Sequence, residues 1–380
     1  MAHRIKDFDL LDVRVGIFNY RNLKHIDWLF AGLVVALAVI GLAVQYSASR
    51  SAPSPIPFYV KQLLFFLVGV VLALGILCID SRFLVSIAPV FYGGVVLLLV
   101  AVLTYGTEVK GAQRWLALGP FHLQPSEQTK LIVVFMLAWY LSLIKERVRK
   151  FPYLVVAFAI AGIPAFLILK QPSLGTAMVL IPVAFVMVYV AGCKGRHLVV
   201  VVLAGLAALP VVYQRLEDYQ RQRLLSFVRP EADPTGNGWQ TRQSEITVGS
   251  GGPSGKGFTQ GTQTMLNYLP EHHTDFIFSL LAEEQGFVGA IGVVGLFGAL
   301  LLRGLRFTLK CSDLSSVLLA VGVVTILGFH IFVNIAITIG LMPVTGIPLP
   351  FLSYGGNFYI TTMMCVGVLL HVPLRKQLFD

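Results

Sequence analysis

Hydrophobic and polar residues do not alternate at short range along this chain; they separate into long blocks. Ten apolar runs of spanning length recur at 27–46, 58–79, 83–104, 125–144, 153–169, 174–192, 197–214, 276–302, 316–341 and 357–372. Each is close to the roughly 20 residues a helix needs to cross the hydrocarbon core, and no series of alternating strands of about 10 residues is present, so helices rather than a barrel are predicted. One polar block is long, 215–275. The predicted fold is an all-α, polytopic membrane protein of about ten transmembrane helices with one large extracytoplasmic loop. Its parts are a cytoplasmic segment 1–26, a membrane domain 27–372 that includes the loop 215–275, and a cytoplasmic tail 373–380.

Composition agrees: 56% of residues are hydrophobic and only 13% charged, with mean hydropathy +0.78, against roughly 25% charged in soluble domains. No cleavable signal is expected, because residues 1–26 are polar and the first apolar run is itself long enough to span. The net charge of +10 does not point to nucleic acid, because the bases sit in short connections. Arg4, Lys6, Arg14, Arg21, Lys24, Arg82, Lys145, Arg147, Arg149, Lys150, Lys194, Arg196, Arg303, Arg306, Lys310, Arg375 and Lys376 all fall on one side, 17 of the 29 basic residues. A positive bias in short loops sets orientation and attracts lipid head groups. The expected location is the cytoplasmic (inner) membrane with both termini inside and the long loop outside. Cys78, Cys193, Cys311 and Cys365 lie outside that loop, so neither a disulfide framework nor a Cys/His metal site is indicated.

The run 276–302 would make a helix of about 40 Å, longer than the roughly 30 Å core, and would place Glu283 and Glu284 in lipid. A first helix ending near Gln285-Gly286 inside a polar vestibule is the cheaper arrangement, with Asp275, Glu283 and Glu284 lining an outward-facing cavity. Asp275 has two roles open to it, a helix N-cap and a general base raised in pKa at the bilayer surface. Glu271, His272 and His273 accompany it. Glu127 and Lys130 share a helix face at i, i+3, as a structural pair or as a charged wall of the same cavity. The segment Lys110 to Leu116 suits an amphipathic surface stretch anchored by Trp115, with Arg114 either snorkelling or meeting a phosphate. Arg221 and Arg223 have the fork that matches phosphate. Gly249 to Gly257 lacks the Gly-Lys-Ser/Thr ending of a nucleotide loop and suits close backbone approach. The Pro- and Gly-dense stretch Asn334 to Gly356 implies a re-entrant or broken segment buried in protein.

Several motifs together resemble the SEDS family (shape, elongation, division and sporulation). They are Lys110-Gly111-Ala112-Gln113-Arg114-Trp115, Gln124-Pro125-Ser126-Glu127, Leu269-Pro270-Glu271-His272-His273-Thr274-Asp275-Phe276, and Pro348-Leu349-Pro350-Phe351-Leu352-Ser353-Tyr354-Gly355-Gly356. Asp218 to Arg223 and Gly261-Thr262-Gln263 are more similar to the elongation branch of that family than to its division branch. The resemblance implies a peptidoglycan glycosyltransferase that polymerises lipid II, releases undecaprenyl pyrophosphate and works beside a class B penicillin-binding protein. It also implies Asp275 as catalytic acid-base residue and Glu127 with Lys130 as a supporting ion pair. Candidate substrate contacts are Arg114, Gln124, Arg221, Arg223, Lys256, His273, Glu283 and Ser353. No cofactor is indicated; a divalent cation is compatible with the resemblance but has no ligand set in the sequence. Two departures stand out: Ser173 where the family usually has Asp, and Phe358 where a small residue is usual. The rival readings are a lipid II flippase, which predicts charges along a midplane path, and a non-catalytic scaffold for the penicillin-binding protein.

Overall fold

The computed structural model describes residues 26–372 apart from 52–54, 110–111, 119–120, 216–217, 230–232, 234–235, 267, 270 and 312. The expected cytoplasmic tail, and all but Ile26 of the expected N-terminal segment, lie outside the described residues, as do Lys110, Gly111 and Pro270. Within them the chain is predominantly helical, with fourteen α-helices and three short strands. In order they are α1 (Trp28–Ser51), α2 (Phe58–Cys78), α3 (Ser81–Ser86), α4 (Ala88–Tyr105), β1 (Thr107–Val109), β2 (Ala112–Leu118), β3 (Phe121–Leu123), α5 (Pro125–Ile144), α6 (Phe151–Lys170), α7 (Leu174–Val190), α8 (Gly195–Arg215), α9 (Asp218–Val228), α10 (Asn237–Ser250), α11 (Thr262–Met265), α12 (Ile277–Thr308), α13 (Leu314–Thr338) and α14 (Gly356–His371).

Six of these are long and apolar enough to cross a membrane: α1, α2, α4, α6, α12 and α13; α7, α14 and the first part of α8 are shorter apolar helices. With α5, which carries an ion pair in its first two turns, they match the ten apolar runs of the sequence. The protein is a multi-pass membrane protein. α13 is the central post, buried over most of its length, because its apolar residues surround the helix instead of forming a stripe. Leu318, Leu319, Val323, Leu327 and Ile331 all lie in the main core.

The connection between α4 and α5 differs from the amphipathic surface stretch that its composition suggests. It folds as a three-stranded antiparallel sheet ordered β1-β2-β3. Thr107 pairs with Trp115 and Leu116 with Leu123, and Gln113 Nε2 donates to the Gly106 carbonyl. A hairpin satisfies the backbone of a connection whose two ends are held close by the packed helices.

α12 is not one continuous helix. Gly286 has φ 67° and ψ −168°, which breaks it after Gln285. The glycine-rich segment fills the break with its own backbone: Lys256 N donates to Glu283 O (3.0 Å), Gly257 N to Glu284 O (3.0 Å), and Phe287 N to Gly252 O (2.8 Å). Backbone can approach backbone this closely only without side chains. A Cβ on Gly251 would overlap the Ala282 carbonyl, one on Gly255 the Glu284 carbonyl, and one on Gly286 the Gly255 amide. The segment therefore completes a broken helix and is not a phosphate cradle.

Gly286→Ala should accordingly destabilise the folded protein by about 1–3 kcal/mol, from the positive φ and the displaced segment. A thermal melt in detergent that matches the wild type would contradict this account of the break.

Candidate active site

Asp275 ends the turn that leads into α12. Its amide donates to Glu271 O (3.1 Å), and its carboxylate is half-buried. The turn is fixed from both sides by the irregular stretch 341–355, whose Leu349, Phe351, Leu352 and Ser353 are fully buried. Ser353 Oγ donates to Thr274 O (2.6 Å) and accepts from Leu349 N (2.8 Å), while Tyr354 N donates to His273 O (2.9 Å). Asn334 on α13 bridges the two segments: its Nδ2 donates to Asp275 O (2.9 Å) and to Ile347 O (2.8 Å). Gly346 stands opposite the carboxylate with φ +71°, and a Cβ there would lie 3.7 Å from Asp275 Oδ2. Only glycine holds that backbone without strain.

Glu127 and Lys130 form the expected pair. Lys130 Nζ lies 2.8 Å from Glu127 Oε2, with side chains 0% and 6% exposed. Lys130 also reaches His330 Nε2 at 3.0 Å, and His330 Nδ1 lies 3.1 Å from Pro348 O. His330 and Asn334 are one turn apart on α13, so both grip the same 346–348 stretch. The pair and Asp275 thus meet at neighbouring residues of one buried segment.

The other candidates are distributed more widely. Arg114 donates to Gln171 O (3.2 Å) and to Pro172 O, clasping the turn between α6 and α7. Ser173 in that turn is buried, with Oγ donating to Thr176 Oγ1 (3.0 Å). Just beyond it, Gly175 packs on the Thr345 carbonyl, which joins Arg114 through the α7 start to the Gly346 turn. Gln124 is the N-cap residue of α5, without a side-chain cap bond. His273 stacks on Phe58, with ring centroids 4.3 Å apart.

Arg221 lies elsewhere. It donates to the Tyr213 and Gln214 carbonyls (3.3 and 2.7 Å), closing the end of α8, and Arg223 sits two residues on in α9. Glu283 and Glu284 do not line an open cavity as the sequence suggests: they are 0% and 2% exposed. Glu283 accepts from Lys256 Nζ (2.7 Å) and Gln263 N (2.9 Å), and Glu284 accepts from Ser47 of α1. Burying a carboxylate demands partners, and the glycine-rich segment and α1 supply them. Lys256 and Glu283 therefore anchor the loop to α12.

Gln45, Gln62 and His330 were not singled out by sequence reasoning. Gln45 Nε2 donates to His273 O and Leu352 O (both 2.9 Å), and Gln62 Nε2 to Ser353 O (3.1 Å). Each is a polar residue within an apolar run, a signal available in the sequence. Among the described residues no group of three or more His, Cys, Asp or Glu is arranged to hold a metal ion.

The profile of the FtsW/RodA/SpoVE family, described as cell cycle protein, matches residues 25–377. The chain belongs to this family. It is 37% identical over 371 residues to the probable peptidoglycan glycosyltransferase FtsW of Trichlorobacter lovleyi, covering 94% of this chain and 95% of that one. It is 36% identical over 360 residues to the peptidoglycan glycosyltransferase MrdB of Escherichia coli K12, covering 94% and 95%. Among solved structures, a chain from work on polymerization and crosslinking by a peptidoglycan synthase complex superposes with TM-score 0.80 at 35% identity. That match covers 93% of this chain and 99% of the other. Family membership carries the enzyme class, peptidoglycan glycosyltransferase, that both relatives bear in their names.

Lys130→Met should leave the Glu127 carboxylate buried and uncompensated and cost about 3–5 kcal/mol. The double variant Glu127→Gln with Lys130→Met should recover part of that loss. Thermal unfolding of the three proteins checks it; equal stability of the single variant and the wild type is the contrary outcome.

Proposed function

We propose that the chain polymerises lipid II into glycan strands at the outer face of the cytoplasmic membrane during cell elongation. In this orientation both termini are cytoplasmic and the 215–275 loop is outside, in keeping with the basic residues of the short connections. Its partner is a class B penicillin-binding protein; the similarity to a chain from a peptidoglycan synthase complex supports an assembly of this kind. The assignment to elongation rather than division rests on Asp218 to Arg223 and Gly261-Thr262-Gln263, since relatives named FtsW and MrdB are similar to nearly the same degree, 37% and 36% identical.

The observation that carries the reading is the fixation of Asp275. A general base must be held within hydrogen-bond reach of the proton it removes. Asp275 has its backbone tied to α13 by Asn334 and the adjoining turn tied to Ser353 and Tyr354, which leaves little freedom beyond its own side-chain torsions. Lipid II presents its sugars at the bilayer surface on an α-linked pyrophosphate, and a β-linked polymer requires inversion. One in-line displacement suffices. Asp275 takes the proton from the acceptor 4-hydroxyl as that oxygen bonds to the donor anomeric carbon, and the bond to undecaprenyl pyrophosphate breaks. The departing pyrophosphate carries the charge away and needs cations rather than an acid. Arg114 is the base best placed for that, since it joins the Asp275 turn through the start of α7. Lys130, fully buried and already paired, serves the frame.

Purified protein given labelled lipid II, with and without the partner, should make glycan chains, and Asp275→Asn should make none while melting like the wild type. Wild-type polymer length from Asp275→Asn would sink the assignment; vectorial movement of lipid II without polymer would favour a flippase.

A further inference from the structure

His330 is a titratable side chain buried in the membrane part of α13, and neither the deprotonation nor the departure of pyrophosphate uses it. Its surroundings give it one defined state. Lys130 Nζ carries only donors when protonated, and it stands 2.8 Å from Glu127 Oε2 and 3.0 Å from His330 Nε2. Nε2 therefore presents its lone pair, and the ring proton is on Nδ1, 3.1 Å from the Pro348 carbonyl that accepts it. Phe358 covers this junction, with its ring 4.8 Å from the imidazole and 5.2 Å from Lys130 Nζ. Water is kept from a site where it would otherwise compete for every one of these bonds.

We propose that His330 is a positioning residue for Asp275, passing the constraint of the Glu127–Lys130 pair to the base through residues 346–348. The inference rests on the reading of Asp275 as the base. The route is short. His330 holds the Pro348 carbonyl, and Asn334, one turn along the same helix, holds the carbonyls of Ile347 and of Asp275. Directly before the Ile347 and Pro348 carbonyls comes Gly346, whose missing Cβ position is 3.7 Å from Asp275 Oδ2. α13 thus grips one turn with two side chains, and one of them is braced from behind by a buried cation. The large Phe358 fits here: it is the face on which both the imidazole and the ammonium rest.

The bridge needs an acceptor toward Lys130 and a donor toward Pro348 on one rigid side chain. A glutamine amide offers both and a leucine neither. Without the bridge, the 346–348 turn can shift and the carboxylate loses its fixed distance to the acceptor oxygen. Displacements of about 1 Å cost on the order of 100-fold in rate, so the loss should fall on kcat rather than on KM.

The test uses the full-length protein in nanodiscs with labelled lipid II. His330→Leu should lose about 10- to 100-fold in kcat with KM nearly unchanged, and His330→Gln should recover most of it. His330→Leu combined with Lys130→Met should be hardly worse than the poorer single variant, since both remove one path. Nitrogen-15 spectra of histidine-labelled protein should show the Nδ1-protonated, Nε2-unprotonated ring for His330, and Lys130→Met should shift that Nε2 signal. An unchanged kcat in His330→Leu, no recovery in His330→Gln, or an Nε2-protonated ring would overturn the proposal. If instead Asp275→Asn polymerises normally, the reading of the base fails, whereas the imidazole spectrum still reports whether the Lys130–His330–Pro348 chain exists.

Discussion

Irregular backbone buried at membrane depth must find every hydrogen bond inside the protein, because lipid supplies none. The stretch 341–355 is irregular backbone largely buried in the protein, and the site depends on how it is satisfied. Gln45, Gln62, Asn334, His330 and Ser353 meet its carbonyls and amides from three helices and from within. Three of the five also reach the Asp275 turn: Gln45 at His273 O, Asn334 at Asp275 O and Ser353 at Thr274 O. The groups that solve a solvation problem are the same groups that fix the proposed base. Stability and the proposed catalysis are joined at this point: loosening the segment strips partners from its buried polar backbone and frees the Asp275 carboxylate together.

The broken α12 obeys the same constraint on the other side of the site. A helix interrupted at Gly286 leaves carbonyls and amides without intrahelical partners, and the segment 251–257 supplies them backbone to backbone. Glu283 and Glu284, on the last turn before the break, fasten that segment through Lys256 and fasten α1 through Ser47. Acidic residues in an apolar run look like cavity lining when only their cost in lipid is considered. Burial among dedicated donors meets the same cost, and nothing in the local sequence distinguishes the two outcomes.

The legible parts were those governed by local rules. Ten apolar blocks predict the ten helices because length and composition alone decide what can span, and Pro343, Pro348 and Pro350 announce the break between α13 and α14 because proline cannot continue a helix. The pairing of Glu127 with Lys130 follows from i, i+3 spacing. What was not legible depends on partners far away in the chain. His330 meets Lys130 across 200 residues, and Gln62 meets Ser353 across 291; periodicity carries no information at such range. The β2 strand was read as part of an amphipathic stretch because its polar residues, Gln113 and Arg114, are adjacent and do not alternate with apolar ones, and its partner strands are only three residues each.

Ser173 shows how a departure from the family pattern is absorbed. Its position belongs to the turn between α6 and α7 that Arg114 clasps by the carbonyls of Gln171 and Pro172. An aspartate there would offer Arg114 a charge partner, and the guanidinium would then be divided between neutralising an acid and meeting an anionic ligand. With serine, whose hydroxyl turns to Thr176, that side chain brings no counter-charge to the turn. The substitution therefore leaves the turn before α7 without an acid at this position, and the serine hydroxyl is satisfied within the turn. The absence of an acid here does not touch the proposed base: Asp275 has its supports, Asn334, Ser353 and the Gly346 turn, all in place.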